Sequence, residues 1–359
     1  MNIIKFKDEI YMKVVLLAPT PPPNGGIAGW TIRMLQSKLK NGWKVVVVDE
    51  KTIKRKDAYD TSFRVITEVK RCLNIWNDLR KALLEDDVEV VQACIPARST
   101  SMLREIISGI ITKKKKKKFI LHFRCTVPNM ITTRIQKLIF KKLVFIADCV
   151  FVLNRASLDF VNKTVPGMKC ELIPNFINSE EMDECKVHNK KLNRIVYVGG
   201  VNKNKGCDLI AEIAKELKDK EFLLIGNVDM DVNVFPSNVK LIGEQPRNVV
   251  QSKLNDSDAF IFLTRYRGEG FSNALAEAMA HSLPCVVSDW AANADMIENK
   301  GGIVLKHYSV QDAVQAIRQM EDPRVRKEMG DWNRNKVLNS YSDKVITDMY
   351  VDAYEKLLV

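Results

Sequence analysis

Two glutamates in the stretch RGEGFSNALAEAMA, residues 267–280, have the types and the spacing expected of a ligand site. Glu269 lies between two glycines, and Glu277 follows inside an alanine-rich segment with helical character. Glycine lets the backbone approach a ligand closely, and the free N–H groups in the first turn of a helix attract anions. The stretch therefore predicts a phosphate at the start of the helix, with hydroxyl-bearing groups held by a carboxylate on either side.

The elements around this stretch must bring it to the edge of a sheet. The apolar runs AFIFLT (259–264) and PCVVSD (284–289), before and after it, are predicted to be buried strands. Ser272 or Asn273 can cap the intervening helix, which is predicted to run to about His281. Doubly wound sheets bind ligands at the carboxyl ends of their strands, which is where this loop and helix start would lie.

A lysine is the second candidate group. The segment YVGGVNKNKG (197–206) predicts a strand, a glycine turn that includes Gly199, and Lys205 just before a helix. A lysine at that place can reach a phosphate, and a surface lysine near a helix start is the simpler alternative. Combined with the two glutamates, Lys205 predicts a diphosphate site that suits a sugar nucleotide. The other predicted contacts are the backbone amides of Gly270, Phe271, Ser272 and Asn273.

The alternation of apolar runs and amphipathic segments predicts an α/β fold. Helices are predicted between the strands, at 31–42, 98–111, 130–142 and 204–217 among others. The chain is thus predicted to form two doubly wound Rossmann-like domains that face each other across a cleft, joined by the polar stretch 178–193. Predicted strands fall at 13–19, 44–50, 88–94, 118–124 and 149–154, and then at 194–200, 221–226, 239–243, 259–264, 284–289 and 301–305.

The charge of the chain is uneven. Residues 1–180 hold 32 Lys and Arg against 17 Asp and Glu, a net charge of +15, whereas residues 181–359 carry a net charge of −3. A basic half attracts polyanions. The run Lys113–Lys118 lacks the interleaved aromatics that nucleic-acid binding uses, so nucleic acid is not an expected partner. A weak contact with anionic membrane is expected, because each lysine near such a surface contributes about 1 kcal/mol.

The cellular setting is predicted from what the sequence lacks. The eight cysteines form no CxxC pair, which argues against a disulfide framework and a zinc site. The N-terminal residues MNIIKFKDEIYMK have no signal-peptide apolar region, and the apolar stretch 143–153 is too short to span a bilayer. We therefore expect a cytoplasmic protein, or one that is peripheral on the inner face of the membrane.

The motif E-x7-E, written EGFSNALAEAMA and preceded by YVGGVNKNKG, resembles the family 4 retaining glycosyltransferases of the GT-B fold. ADCVFVLNRASLDFV (147–161) and ELIPNFIN (171–178) are similar to the family's passage between domains, and NGGIAG (24–29) to its N-terminal glycine loop. The C-terminal SDKVITDMYVDAYEKLLV resembles the family's helix that crosses back to the first domain. The resemblance implies an acceptor-side domain at 1–180, a nucleotide-sugar domain at 181–340 and a crossing helix at 341–359.

The resemblance also implies a role for each candidate. Glu277 would bind the ribose hydroxyls, Glu269 would contact the donor sugar, and Lys205 would hold the diphosphate of a UDP- or GDP-sugar. Gly25 and Gly26 would let the N-terminal loop approach donor or acceptor. The implied reaction moves a sugar, with retention, to a hydroxyl of a polysaccharide or lipid-linked acceptor in cell-envelope glycan synthesis. It uses no metal and no cofactor, since the lysine and the helix dipole offset the charge of the leaving diphosphate.

The chain departs from the family pattern at two places. The family usually has an arginine about five residues before the lysine, where this chain has Gly200, and Arg265 or Arg267 is a candidate substitute. The family's histidine near the sugar aligns with Arg124, whereas His122 lies on the same face of the predicted strand. Both are therefore candidate catalytic residues beside Glu269, with a structural role as the alternative for His122.

Two other functions stay open at this point. The strand-flanked Gly268-Glu-Gly270, with Asp289 ending the next strand, is close to the fingerprint of an NAD(P)-dependent oxidoreductase. Asn273 stands where that fingerprint needs its third glycine. The other alternative is a non-catalytic relative that keeps the nucleotide pocket.

Overall fold

The computed structural model describes residues 12–22, 25–50, 61–178 and 191–359. The chain divides into two compact units. Unit 1 comprises Met1–Ile173 together with Ile346–Val359, and unit 2 comprises Pro174–Val345. Most of the predicted linker, residues 179–190, lies outside the described residues.

Unit 1 is built on one sheet whose six strands are all parallel. The strands are near-continuous runs of Val, Ile, Leu and Phe, as expected for a sheet that helices cover. They are β1 (Lys13–Ala18), β2 (Lys44–Asp49), β3 (Val88–Ile95), β4 (Lys118–Phe123), β5 (Cys149–Val152) and β6 (Cys170–Leu172). Their order across the sheet is β2-β1-β3-β4-β5-β6.

The helices of unit 1 differ from the predicted ones in two respects. The helix predicted at 31–42 begins earlier and ends earlier in the structure. Its C-cap is Ser37, which has an extended backbone and a hydroxyl that donates to the Arg33 carbonyl. The long helix over residues 61–82 lies between two predicted strands, where a helix was expected, but its bounds were not predicted. The helices are α1 (Gly26–Gln36), α2 (Thr61–Ala82), α3 (Ser99–Lys114), α4 (Val127–Met130), α5 (Arg134–Ile146) and α6 (Arg155–Thr164).

Unit 2 repeats the architecture with a second sheet of six parallel strands, ordered β12-β11-β10-β7-β8-β9. Its strands are β7 (Arg194–Val198), β8 (Glu221–Ile225), β9 (Val239–Gly243), β10 (Ala259–Phe262), β11 (Cys285–Ser288) and β12 (Gly302–Leu305). Its helices are α7 (Cys207–Glu216), α8 (Arg247–Asn255), α9 (Asn273–Ala280), α10 (Asn293–Ile297), α11 (Val310–Gln319) and α12 (Pro323–Ser340). The predicted class, two doubly wound α/β units, is confirmed.

The last helix, α13 (Asp343–Leu358), runs across the boundary between the two units, and its residues from Ile346 onward belong to unit 1. Tyr350 and Tyr354 on this helix are fully buried. The phenol of Tyr354 donates a hydrogen bond of 2.6 Å to the Gln92 side chain on β3. The C-terminus therefore contributes side chains to the interior of the N-terminal sheet unit.

Each sheet has a point where the chain reverses its direction of travel across the strands. In unit 2 the chain moves from β7 to β8 and β9, and then returns to place β10 on the other side of β7. In unit 1 the equivalent point lies between β1 and β3. Ligands of open α/β sheets bind outside the carboxyl ends of strands at such switch points. A site is therefore expected at the loops after β7 and β10, and at those after β1 and β3.

Candidate functional site

The loops that follow β7 and β10 in unit 2 are tied to each other by their backbones. The amide of Arg265, after β10, donates 2.8 Å to the carbonyl of Asn204, after β7. The β10 loop is also held from β11, where the indole of Trp290 donates 2.8 Å to the Tyr266 carbonyl. Both loops are thus fixed at the switch point of the second sheet.

These two loops bring Lys205 and Glu269 into an ion pair of 2.5 Å between Nζ and Oε2. Lys205 ends a short 3-10 helix, Lys203–Lys205, whose first turn is capped by the Asn202 side chain. Its ammonium group also lies 5.0 Å from the centre of the Tyr266 ring, a cation–π distance. The lysine and the loop glutamate that the sequence singled out separately are therefore direct partners, with side chains that are 23% and 12% exposed.

Gly206 explains how Lys205 is presented. It adopts a left-handed conformation with φ of +82°, and a Cβ there would lie 2.1 Å from the Leu263 carbonyl oxygen. Because no other residue fits this place without displacing the β10 strand end, the turn after Lys205 requires glycine. Gly199, also predicted in the site, has φ of +145° and a Cβ would meet the Tyr197 hydroxyl at 2.8 Å.

The helix after the β10 loop begins as predicted. Ser272 is the N-cap of α9, and its hydroxyl accepts a hydrogen bond from the Leu275 amide. The helix runs over Asn273–Ala280 with His281 as its C-cap. Ala276, Ala278 and Ala280 are buried, so the helix lies close on the sheet. The remaining N–H groups of its first turn constitute a site of positive potential, next to the loop that carries Glu269.

Asn175, at the start of unit 2, forms hydrogen bonds with the residues at the start of α9. Its amide donates to the Asn273 side chain at 2.7 Å and to the Phe271 carbonyl at 3.4 Å. The ring of Phe271 packs edge-on against Tyr341, with ring centroids 5.1 Å apart. The turn 271–273 is therefore fixed by side chains from both ends of unit 2.

Glu277 lies in the middle of α9 and is half-buried. Its carboxylate is 3.7 Å from the guanidinium of Arg247, the first residue of α8. This places a cation beside the carboxylate that was predicted to bind ribose hydroxyls.

The arginines proposed as substitutes at Gly200 have different surroundings. The guanidinium of Arg265 pairs with Asp208 at 2.9 Å and stacks on the Tyr308 ring at 4.0 Å. The Arg265 guanidinium therefore interacts with the start of α7. Arg267 is exposed at the tip of the loop.

In unit 1, His122 on β4 is fully buried in a chain of polar side chains. Its Nδ1 is 3.1 Å from the Gln92 amide, and its Nε2 is 3.1 Å from the Arg124 guanidinium. Burial, and next the Arg124 charge, hold the pKa of His122 well below its usual value. A neutral imidazole with its hydrogen on Nδ1 can accept from the Arg124 guanidinium at Nε2.

Arg124 itself is 7% exposed and lies over the Trp30 ring at 4.2 Å. The two predicted catalytic side chains of unit 1 thus share one face of the strand, as predicted. The protein surrounds His122 with Trp30, Phe151 and Tyr350, which matches the structural alternative for this histidine.

The glycine loop of unit 1 meets the switch point of the first sheet. Gly25 is the extended N-cap of α1, and Gly26 is its first residue. A Cβ on either would meet no described atom within 4 Å. Packing among the described residues therefore does not explain why glycine stands at these two places, whereas approach of a ligand would.

Three contacts at the site were not predicted: Tyr266 beneath Lys205, Arg247 beside Glu277, and Asn175 behind α9. Tyr266 lies within the loop RYRGEGF and could have been chosen on its position. Arg247 and Asn175 are distant in sequence from their partners, so no local pattern marks them.

Two six-stranded parallel sheets, each with helices around it, match the GT-B class of fold. Residues 193–322 match the family model described as "Glycosyl transferases group 1". The chain superposes on sucrose-phosphate synthase (tll1590) from Thermosynechococcus elongatus, with a TM-score of 0.75 and 13% identity, covering 97% of this chain and 99% of that one. It also superposes on Anabaena Alr3699/HepE in complex with UDP-glucose, with a TM-score of 0.70, 12% identity and coverage of 96% and 100%.

By sequence the chain is similar to an Escherichia coli "UDP-Gal:alpha-D-GlcNAc-diphosphoundecaprenol alpha-1,3-galactosyltransferase". The two are 27% identical over 254 residues, which cover 60% of this chain and 64% of the relative. The match thus spans less than two thirds of that protein. Among the helices that the structure describes, none has the length and apolar character to cross a membrane.

Proposed function

We propose that the protein is a glycosyltransferase that moves a sugar from a nucleotide-sugar donor to a hydroxyl of a polysaccharide or lipid-linked acceptor, in cell-envelope glycan synthesis. The observation that carries the proposal is the Lys205–Glu269 pair at the switch point of unit 2, next to the capped start of α9. The family match covers this same unit. The E. coli relative, whose name includes a lipid-linked diphosphate acceptor, supports the acceptor class.

The chemistry assigned to the site is electrostatic. Glu269 compensates the charge of Lys205, with its Oε2 2.5 Å from the lysine Nζ. A donor diphosphate brings negative charge to the N–H groups of α9 and competes for the same ammonium group. Lys205 then stabilises the charge that develops on the leaving diphosphate, which is where a fixed donor has most effect on rate.

Release from Lys205 leaves the Glu269 carboxylate for the donor sugar, and Glu277 takes the ribose hydroxyls. We assign neither as a covalent nucleophile. The proposed reaction proceeds with retention. The bond between the anomeric carbon and the diphosphate breaks, the acceptor hydroxyl oxygen attacks from the same face, and the departing diphosphate takes the hydroxyl proton. It needs no metal in this proposal, because lysine and helix start provide the positive charge.

The nucleotide is proposed to be UDP or GDP, and the complex of the Anabaena structure with UDP-glucose supports the first. A basic N-terminal half is proposed to favour a peripheral position on the inner face of the membrane. An NAD(P)-dependent oxidoreductase is not favoured, since the matched family model and the E. coli relative are both glycosyltransferases.

A nucleotide-binding panel and a product assay test the proposal together. We expect UDP or GDP to raise the melting temperature of the purified protein, while NAD leaves it unchanged. Mass spectrometry of a mixed sugar-nucleotide pool incubated with cell-envelope extract should then show acceptor with one added sugar. Stabilisation by NAD alone would contradict the proposal. Nucleotide binding without sugar transfer or donor hydrolysis would show instead that the protein is a non-catalytic nucleotide-binding relative.

A further inference from the structure

Exposed apolar side chains are concentrated on one helical layer of unit 1. Of the sixteen large apolar residues that the described part of the chain exposes, ten project from α2, α3 and α5, with exposed fractions between 38% and 72%. Three belong to unit 2. The ten are Val65, Ile66, Val69, Leu73, Leu103, Ile107, Ile110, Ile135, Leu138 and Phe145.

The spacing of these residues places them on the outer side of each helix. Val65, Val69 and Leu73 follow one another at intervals of one turn on α2, and the residues of α3 and α5 recur at similar intervals. The opposite sides of the same helices contribute residues such as Leu79 and Phe140 to the buried core. The exposed stripes are therefore additional to the core-facing ones.

The stripes are neighbours, because α3 packs against both α2 and α5. We call their common outer surface the α2–α3–α5 face. Soluble proteins rarely leave so many large apolar side chains together in water, and an exposed cluster of this kind marks a binding surface.

The charge of the α2–α3–α5 face is positive. Helix α5 has four basic residues and no acidic one, and the only acidic residue of α3, Glu105, is buried and paired with Arg104. Lys113 and Lys114 extend the end of α3 into the exposed lysine run. Apolar side chains interspersed with cations are complementary to an anionic lipid surface.

The side-chain types distinguish a membrane from a protein partner. The ten residues are four Ile, three Leu, two Val and one Phe. Protein interfaces are enriched in Tyr, Trp, Met and Arg at their centres, because these side chains combine apolar area with polar contacts. A set of nine aliphatic side chains and one Phe suits the acyl boundary of a bilayer.

We propose that the α2–α3–α5 face docks on an anionic phospholipid bilayer by inserting these apolar side chains, with the surrounding lysines and arginines meeting the lipid phosphates. The apolar side chains are the main anchor in this proposal, and the lysine run adds charge, although Lys113 pairs with Asp148 at 2.7 Å and Lys117 with Glu89 at 3.3 Å. The docking needs no sugar donor, so its test is independent of the proposed catalytic function.

Flotation of the purified full chain with vesicles tests this. We expect binding to equimolar phosphatidylglycerol and phosphatidylcholine vesicles, weaker binding to pure phosphatidylcholine, and a fraction that stays bound at about 1 M salt, where the Debye length is only about 3 Å. The triple variant Ile107→Gln, Leu138→Gln, Phe145→Gln should lose that salt-resistant fraction. Each change is expected to weaken binding on the order of tenfold.

The matched control is Val232→Gln with Leu338→Gln, which removes exposed apolar side chains of unit 2 and should bind as the parent does. Unchanged circular dichroism and melting temperature show that the triple variant is folded. Parent-like vesicle binding by the folded triple variant, or binding that salt abolishes completely, would overturn the proposal. A dimer of the parent in solution that the triple variant converts to a monomer would overturn it in favour of self-association.

Discussion

The two units share an architecture and differ in what stands at the carboxyl ends of their central strands. In unit 2 the loops there carry an accessible ion pair, Lys205 with Glu269, beside a capped helix start. In unit 1 the same edge carries His122 and Arg124, buried against Trp30 and the tyrosines of α13. One sheet therefore exposes its charges at the switch point, and the other encloses them.

The contrast extends to the outer helices. Among the residues that the structure describes, unit 2 exposes only three large apolar side chains, whereas unit 1 exposes three apolar stripes on α2, α3 and α5. The fold does not dictate either property, because both sheets are parallel and doubly wound. The two units therefore differ in their loop and surface residues. We assign binding of the donor to unit 2 and contact with the lipid bilayer to unit 1.

The largest effect should come from Lys205→Ala, which removes the cation proposed to stabilise the leaving diphosphate. We expect the rate of sugar transfer to fall about a hundredfold or more, as when a fixed donor to a developing charge is lost. Steady-state kinetics with the identified donor measure this. Lys327→Ala, which breaks an ion pair with Asp331 on a helix surface of the same unit, is the control and should leave the rate unchanged.

Equal rates for Lys205→Ala and the parent would remove the contrast between the two units.

Glu269→Gln tests the other member of the same ion pair. It frees the ammonium group from its partner, so we expect tighter binding of the free nucleoside diphosphate together with slower transfer. Calorimetric titration separates these two effects.

A smaller effect is expected from Glu277→Ala. Loss of hydrogen bonds from a carboxylate to the ribose should weaken donor binding by roughly 1.5–3 kcal/mol, or about tenfold to a hundredfold. Titration calorimetry with the nucleoside diphosphate measures it. Arg247→Ala, which removes the cation 3.7 Å from Glu277, should weaken binding less, because that contact is long and partly exposed.

Asn175→Ala tests whether the turn 271–273 depends on the two hydrogen bonds that the Asn175 amide donates to it. Two acceptors, the Asn273 side chain and the Phe271 carbonyl, lose a buried donor, which we expect to cost about 1–3 kcal/mol in the free energy of unfolding. The same variant should also raise the KM for the donor. Asn238→Ala is the control, since that amide binds three carbonyls around α7 in the same unit and should lower stability without changing KM.

The smallest effect concerns His122 and pH. Its pKa is lowered in the folded protein, so the unfolded chain binds the proton more readily and stability falls as the pH drops below about 6.5. The slope from this one group is at most about 1.4 kcal/mol per pH unit. Urea unfolding at several pH values should show a shallower slope for His122→Gln than for the parent. An identical slope would mean that His122 is not held neutral.

Much of the fold could be predicted because the signals are local. Strands such as VVLLA and CVVS are apolar without alternation, which marks a covered parallel sheet, and the cap at Ser272 is visible from the residues that follow it. The bounds of helix α2, in contrast, were not predicted. Its apolar residues lie on both its core side and its outer side, so no single stripe stands out.

The sequence by itself determined the α/β class, the start of α9 and the identity of the charged candidates, because each depends on residues within a few turns of one another. Only the tertiary structure decided that Lys205 and Glu269 are partners and that His122 is enclosed. The first depends on β10 returning to the side of β7, and the second on a helix from the far end of the chain packing over β4. Contacts between segments so far apart in sequence are set by strand order and helix packing, on which no local spacing carries information.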